Sequence, residues 1–207
     1  MSTPEKIGKY QIVGKLGQGA MGEVFRAHDP VLNRDVALKR ISAGLDADET
    51  VRRRFLREAQ VVASLSHPHI VIVYELGFEG DQAFMAMELL EGKDLKNAIA
   101  NRKMTLDEKL SLMEQMAEGL AYAHAREIVH RDLKPANIMI DGTGKVRITG
   151  FGLAGLAGEQ IRAGTPAYMS PEQLAGNEVT ARSDIYSLGL VLYEIFTGQR
   201  ALDGKNL

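Results

Sequence analysis

The order of its secondary-structure signals constrains the fold of this chain more than any other feature of the sequence. Short alternating runs typical of strands fill the first ninety residues, at 10–16, 23–28, 35–41, 70–77 and 83–89. One helical run, about 48–66, interrupts them, and helical patterns dominate after residue 95. Strands first and helices later predict an α+β chain in two lobes, with a break near 90–94 as the hinge.

The sequence also sets the ends and faces of its helices. The first helix has one apolar face, formed by Val51, Phe55, Ala59 and Val62. Thr105 and Glu108 have capping-box spacing and open a helix that extends to about 126. The apolar stripe predicted for it consists of Leu106, Leu110, Met113, Ala117 and Leu120. A run at 183–197 that is mostly apolar all round predicts a buried helix that ends at Gly198.

Composition and charge exclude several classes of protein. Of the 207 residues, 45% are hydrophobic and 25% charged, the balance of a soluble globular protein. A net charge of -2 offers no basic field to nucleic acid. Without cysteine, the chain can form neither a disulfide framework nor a cysteine-ligated zinc site. We predict a cytoplasmic protein, since no apolar run could span a bilayer and residues 1–9 lack the apolar core of a secretory signal.

Three glycines, Gly17, Gly19 and Gly22, lie between two strand-like runs. With Val24 they fit G-x-G-x-x-G-x-V, a spacing found both in dinucleotide-binding folds and in loops that cover ATP phosphates. The dinucleotide fold needs a helix after the glycines, whereas 23–27 is strand-like here. A β-hairpin over phosphates is favoured, because glycine lets the backbone approach phosphate oxygens closely. An ordinary hairpin turn remains open on this motif alone.

A lysine, Lys39, ends the apolar strand segment Val36-Ala37-Leu38-Lys39. An ammonium that faces inward from such a strand needs an opposite charge, and Glu58 on the following helix could supply it. The alternative is that Glu58 is an ordinary surface residue.

The run His130-Arg-Asp-Leu-Lys-Pro-Ala-Asn137 carries the most specific chemistry, since it fits H-R-D-L-x-x-x-N at every specified position. With the glycine segment, Lys39 and Ser170-Pro-Glu172 in this order, the chain resembles the eukaryotic-type Ser/Thr protein kinase domain, which also occurs in bacteria. The resemblance covers about Tyr10 to the C-terminus. It implies a bilobal fold with a first lobe at 10–89, made of a small antiparallel sheet and one helix, a hinge at 90–94 and a partial, mainly helical second lobe at 95–207.

The same resemblance implies ATP and Mg as cofactors, a protein as substrate, and a role for each matching residue. Asp132 would orient the substrate hydroxyl and accept its proton, and Lys134 would contact the γ-phosphate. Lys39 would hold the α- and β-phosphates and pair with Glu58, while Asn137 would bind one Mg ion. The implied ATP-binding residues are Leu16, Gly17, Gly19, Gly22, Val24, Ala37, Lys39, Met87, Glu88, Leu90 and Met139.

Further implied roles concern the substrate and the support of the catalytic loop. Thr165 matches the substrate-side threonine of Ser/Thr kinases, and Glu172 stands in Ser-Pro-Glu where relatives have Ala-Pro-Glu. Asp184 would anchor the backbone of the catalytic loop. A lysine two residues after Asp132 favours Ser/Thr over Tyr as the acceptor.

The chain departs from this family at Gly150. The family's Asp-Phe-Gly is Gly150-Phe151-Gly152 here, so the carboxylate that binds the Mg ion bridging the β- and γ-phosphates is missing. We expect nucleotide binding to be retained and turnover to be weak or absent. A second departure is that 151–164 contains no Ser, Thr or Tyr, so Arg131 would have no activation-segment phosphate to bind there. Arg131 could pair with Glu159 instead, but we favour activation without phosphorylation in this segment.

Two functions are compatible with these residues. The first is a Ser/Thr protein kinase impaired by Gly150, and the second is a pseudokinase, a nucleotide-binding regulatory or scaffolding module without turnover. A small-molecule kinase is disfavoured because 164–172 matches a protein-substrate platform. Family domains have further helices after 183–197, so we expect this chain to be a fragment or a truncated gene product. Apolar surface on Ile185, Leu188, Leu192 and Ile195 would then be exposed unless a partner or the missing C-terminal segment covers it.

Overall fold

Two units, each with its own internal contacts, make up the chain. The computed structural model describes residues 5–19, 22–41, 49–80, 82–101, 103–151 and 166–202. Within these ranges, the first unit comprises the residues up to 65 and residues 72–90. The second comprises 66–71 and the described residues from 91 onward. The division after residue 90 falls inside the predicted hinge.

The first unit is built on an antiparallel sheet. Its strands are β1 (Lys6–Ile7), β2 (Tyr10–Gly19), β3 (Gly22–Asp29), β4 (Arg34–Ile41), β5 (Val73–Glu79) and β6 (Gln82–Glu88). In the part of the chain that the structure describes, they lie in the order β1-β2-β3-β4-β6-β5. Asp29 closes the β3–β4 hairpin, because its Oδ1 accepts hydrogen bonds from the backbone N–H groups of Val31 and Leu32. The sheet core includes Ile7, Tyr10, Phe25, Ala27, Val36, Leu38, Phe84 and Ala86.

The helix of this unit, α1 (Glu49–Ala63), lies within the predicted span of 48–66. Two residues of its predicted apolar face, Ala59 and Val62, are buried. The side chains of Val51 and Phe55 lie outside the described residues.

The second unit is mainly helical, with a small sheet at its start. Its elements are β7 (Gly92–Asp94), α2 (Leu95–Asn101), α3 (Leu106–His124), β8 (Ile138–Asp141), β9 (Val146–Ile148), α4 (Pro171–Leu174) and α5 (Ala181–Thr197). Among the described residues, β7, β8 and β9 form an antiparallel sheet in that order. The strands therefore come mostly before the helices, as the sequence predicted.

Local sequence signals place the ends of the long helices correctly. The capping box of α3 is confirmed, since Thr105 accepts from the Glu108 N–H and the Glu108 carboxylate accepts from the Thr105 N–H. Gly198 is confirmed as the residue after α5, with φ of 74°, a left-handed conformation that suits glycine.

The predicted apolar stripe of α3 is wrong except at its C-terminal end. Leu106 and Leu110 are exposed, as is Ala117, and Met113 is only half-buried. The buried residues are Leu112, Met116, Gly119, Leu120 and Ala123. The helix is thus rotated relative to the prediction, because apolar residues occur on more than one of its faces and Gly119 allows backbone contact with the 66–71 segment. An added Cβ at Gly119 would lie 3.3 Å from the His69 carbonyl oxygen.

Two further predictions need correction. The helix α5 is not buried all round, because Ile185, Tyr186, Tyr193 and Phe196 are exposed. Ile195, predicted to be exposed, is buried, and Leu188 and Leu192 are half-buried.

The strand predicted at 70–77 begins at Val73, because the residues before it contact the second unit's own sheet. Ile70 forms a parallel bridge to Ile148, and the Val71 N–H donates to the Ile148 carbonyl oxygen at 3.0 Å. No helix among the described residues is both long enough and apolar enough to cross a membrane.

Substitutions two residues apart in α3 test the corrected orientation of the helix. We expect Leu112→Ala, at a site with 5% exposure, to lower the free energy of unfolding by roughly 2–5 kcal/mol. The matched control Leu110→Ala, at a site with 42% exposure, should lower it by under about 1 kcal/mol. Urea unfolding followed by circular dichroism measures both. A larger loss of unfolding free energy for Leu110→Ala than for Leu112→Ala would support the apolar stripe predicted from the sequence and contradict the corrected orientation.

Candidate active site

A buried carboxylate, Asp184 in the first turn of α5, holds the catalytic loop at 130–137. Its Oδ2 accepts from the His130 N–H at 2.7 Å and its Oδ1 from the Arg131 N–H at 2.9 Å. The side chain of His124, at the end of α3, lies 2.8 Å from the same Oδ2. The role predicted for Asp184 thus has the expected geometry: α5 holds the loop backbone through Asp184, and α3 contacts that carboxylate through His124.

The backbone at Arg131 is in an unusual conformation. Its φ is 70°, in the left-handed region that costs a non-glycine residue roughly 1–3 kcal/mol. Asp184 offsets part of this cost by accepting from the Arg131 N–H. The next residue is Asp132, so the conformation of Arg131 sets the direction of the Asp132 side chain.

The side chains of Asp132, Lys134 and Asn137 are brought together as predicted. The Lys134 Nζ lies 2.7 Å from the Asp132 Oδ2. The Asn137 Nδ2 donates to that Oδ2 at 3.0 Å and to the Asp132 carbonyl oxygen at 2.7 Å. A base, a cation and an amide therefore converge on one point. Because the amide nitrogen of Asn137 is directed at Asp132, its Oδ1 points away and can serve as an oxygen ligand.

Burial and hydrogen bonds together set the protonation of the two groups that support this loop. Burial holds the pKa of His130 below its ordinary value, despite the opposing effect of the Asp184 charge. The neutral ring accepts from the Asp132 N–H at Nδ1 and lies 2.9 Å from the Thr149 carbonyl oxygen at Nε2. For Asp184, burial raises the pKa, but hydrogen bonds from His124 and the loop N–H groups outweigh it and keep the carboxylate ionised.

Gly150 lies directly beside Asn137. A Cβ added at residue 150 would be 3.5 Å from the Asn137 Nδ2 and 3.9 Å from its Oδ1, both ordinary contact distances. The φ of Gly150 is 87°, a conformation in which Asp and Asn are the least disfavoured side chains after glycine. The neighbouring Phe151 is buried against His130, with ring centroids 4.6 Å apart. The position thus has room for a carboxylate that the sequence lacks.

The predicted nucleotide residues of the first unit lie on one sheet. Gly17 pairs with Val24 and Gly19 with Gly22, so a strand follows the glycines and the hairpin interpretation is confirmed. Val24 also pairs with Lys39. Because cross-strand partners and alternate residues share a face, one face of the sheet carries Val24, Ala37, Lys39 and Met87.

The other residues assigned to nucleotide binding do not belong to this group of cross-strand neighbours. Leu16 is exposed on β2, Glu88 ends β6, and Leu90 follows it, half-buried. Met139 is half-buried in β8 of the second unit. The side chain of Glu58 lies outside the described residues, so its pairing with Lys39 stays a prediction.

The residues assigned to the substrate platform are described only in part. Thr165, Gly152 and Glu159 lie outside the described residues. Glu172 accepts from the Ser183 Oγ at 2.5 Å, and this bond holds its pKa below the ordinary value. The Tyr168 hydroxyl donates to the buried Glu194.

Sequence patterns missed two residues that support the catalytic loop, one directly and one through Asp184. His124 contacts Asp184, and the Gln173 side chain donates to the Arg131 carbonyl oxygen at 2.7 Å. The spacing of Ser170 and Gln173 predicts a capping box, but it gives no sign of the contact with residue 131. Among the described residues, no group of three or more His, Cys, Asp or Glu side chains could hold a metal ion.

Comparison with known proteins agrees with this geometry. The family model described as "Protein kinase domain" matches residues 10–207. The serine/threonine-protein kinase PrkC of Bacillus subtilis is 44% identical over 206 residues, which are 96% of this chain and 32% of that protein. The serine/threonine-protein kinase PknB of Mycobacterium leprae is 40% identical over 219 aligned residues, covering 100% of this chain and 35% of that protein.

A solved structure gives the same result at the level of the fold. The crystal structure of the Mycobacterium tuberculosis PknI kinase domain matches with a TM-score of 0.81 at 33% identity, covering 98% of this chain and 80% of that chain. The chain spans about a third of the length of the curated relatives it matches.

Stability should depend on pH through His130. Its folded pKa is lowered, so below the unfolded value of about 6.5 the unfolded chain binds a proton that the folded chain does not. The stabilisation is complete above that pH and is lost as the pH falls. Between pH 7.5 and 5, wild type should lose up to about 1.4 kcal/mol per pH unit more than His130→Asn in urea unfolding. Parallel profiles would contradict the neutral, buried imidazole.

Proposed function

This chain belongs to the protein kinase family, and from that premise we propose that it binds ATP with Mg and transfers the γ-phosphate to Ser or Thr hydroxyls of a protein, at a rate lowered by Gly150. The observation that carries this proposal is the contact of Asp132, Lys134 and Asn137 on a loop held by Asp184. Such convergence of a base, a cation and a metal-binding oxygen is what phosphoryl transfer requires.

The proposed reaction uses few covalent steps. The substrate hydroxyl oxygen forms a bond to the γ-phosphorus while the bond to the ADP oxygen breaks, and the hydroxyl proton passes to the Asp132 carboxylate. Lys134, now 2.7 Å from Asp132, neutralises charge on the transferring phosphoryl group. Lys39 binds the α- and β-phosphates, and the glycines of the β2–β3 hairpin let backbone N–H groups approach them.

The residues present fit a Mg ion only in part. Asn137 offers one amide oxygen, a ligand type that Mg prefers, and Gly150 offers none. In this proposal Asn137, together with the phosphate oxygens, would hold a Mg ion, which would supply charge neutralisation at the phosphates. ATP binding then suffers less than turnover, because the missing ligand matters most where charge develops in the transition state.

The pseudokinase is the second candidate, and Gly150 is the observation that favours it. It keeps nucleotide binding and assigns the chain a regulatory or scaffolding role. The chain aligns with only about a third of the length of these serine/threonine kinases. Substrates and partners of the whole protein therefore remain proposals. The cytoplasmic location and the bounds given to the two lobes and the hinge likewise stay predictions.

A covering partner for α5 is part of the proposal. Ile185 is 60% exposed, and Tyr193 and Phe196 on the same helix are also exposed. The matched PknI kinase domain is longer, since this chain covers 80% of it. We propose that a partner, or the missing C-terminal segment, covers the helix at 183–197.

Restoring the carboxylate separates the two candidate functions. Gly150→Asp should raise phosphoryl transfer about 100-fold or more, because one preorganised charged group is regained. The measurement is transfer of labelled γ-phosphate to a generic protein substrate, with Gly150→Asp/Asp132→Asn as the inactive control. Activity in wild type and the variant supports the impaired kinase, and activity only in the variant supports the pseudokinase. Silence in both, with ATP bound, would contradict an intact catalytic loop.

Nucleotide binding can be tested without turnover. We expect Lys39→Met to weaken MgATP binding roughly 10- to 100-fold in isothermal titration calorimetry, because a charge-assisted hydrogen bond to phosphate is lost. Lys6→Met is the matched control, since Lys6 is exposed on β1 at the far edge of the sheet order. Equal losses in both variants would show that Lys39 is not part of the nucleotide site.

A further inference from the structure

The side chain of Gln173 joins two parts of the second unit that the proposed function uses separately. Its Nε2 donates to the Arg131 carbonyl oxygen at 2.7 Å. Its Oε1 accepts from the N–H and Oγ of Ser170, at 3.1 and 3.2 Å. One amide group therefore contacts both the catalytic loop and the segment that precedes α4.

Together with Asp184, this contact holds both backbone polar groups of Arg131. Asp184 accepts from the N–H of Arg131, and Gln173 donates to its C=O. A residue with φ of 70° is held in place only when its surroundings determine its conformation. The two side chains come from different helices, α4 and α5, so the clamp is not a property of the loop alone.

We propose that Gln173 is a positioning residue, which aims the Asp132 carboxylate through the Arg131 backbone and couples the substrate-platform segment at 166–172 to the catalytic loop. This inference rests on the proposed function for its catalytic consequence, but not for its structural part. Movement of the platform segment shifts Ser170 and hence Gln173. The Arg131 carbonyl then loses its donor, and Asp132 loses its direction.

A simpler explanation is that Gln173 only caps α4. The capping box is present, with Ser170 accepting from the Gln173 N–H and the Gln173 Oε1 accepting from the Ser170 N–H. A cap needs the acceptor Oε1 alone, whereas the donor Nε2 is used only by Arg131 among the contacts described for this side chain. The two roles therefore use different atoms and can be separated by substitution.

Gln173→Glu separates them because it changes one atom. A carboxylate still accepts from Ser170 and suits the first turn of a helix, so the cap is kept. It cannot donate to the Arg131 carbonyl oxygen. Its second carboxylate oxygen, an acceptor, would instead face that carbonyl oxygen and repel it. Glu108→Gln in the capping box of α3 is the matched control, since it makes the reverse change in a capping box at the start of another helix. Gln173→Met removes both roles at nearly constant size.

The experiment combines three measurements on the full chain, each in the wild-type and Gly150→Asp backgrounds. Thermal unfolding of Gln173→Glu should stay within about 2 °C of its parent, because the cap is intact. Amide hydrogen exchange in peptides that cover 128–134 should become about 10-fold faster, the effect of one lost hydrogen bond. In whichever background, wild-type or Gly150→Asp, transfers phosphate measurably, kcat should fall about 10-fold or more, with the KM for ATP unchanged. Glu108→Gln should change none of these.

The outcomes distinguish the inference from the proposed function. Unchanged exchange at 128–134 in Gln173→Glu, or unchanged kcat, would overturn the positioning role. A fall in melting temperature of the same size in Gln173→Glu and Gln173→Met would mean that the residue is a structural cap only, and would also overturn it. If no background transfers phosphate, the proposed function fails, and the exchange measurement alone then decides whether the clamp exists.

Discussion

The buried ion Asp184 is the interaction on which the candidate site depends. An ionised carboxylate that is removed from water is costly unless it is hydrogen-bonded, and here it accepts from two backbone N–H groups and contacts His124. The same bonds that make burial tolerable fix the loop at Arg131 in a left-handed conformation that no local propensity would produce. The direction of Asp132 follows from this, so the proposed catalytic base is positioned by a charge in a helix 52 residues later in the chain.

Much of the fold and part of the site could be predicted from the sequence. Thr105 and Glu108 placed the start of α3, because a capping box is a local interaction. The strand after the glycines was also predictable from its alternation. The face that α3 buries was not, since apolar residues on several faces leave its rotation to tertiary contacts such as that of Gly119 with the 66–71 segment. For the same reason the donor atom of Gln173 could not be assigned, because its partner Arg131 is 42 residues away.

The contacts among the catalytic-loop side chains do not need a carboxylate at residue 150. Asp132, Lys134 and Asn137 are in contact although residue 150 has no side chain, because their geometry is set by the loop and by Asp184. Under the proposed function, glycine would remove a carboxylate ligand of the Mg ion that neutralises phosphate charge. Positioning of the loop residues would then be retained, and electrostatic stabilisation would be partly lost.

The most direct test is a crystal structure of the chain with a non-hydrolysable ATP analogue and Mn²⁺, with the ion located by its anomalous signal. The account predicts an ion bonded to the Asn137 Oδ1 and to phosphate oxygens, no protein ligand from residue 150, and Asp132 still beside Lys134. An ion held by other side chains, or a bound nucleotide remote from Asp132 and Asn137, would contradict it.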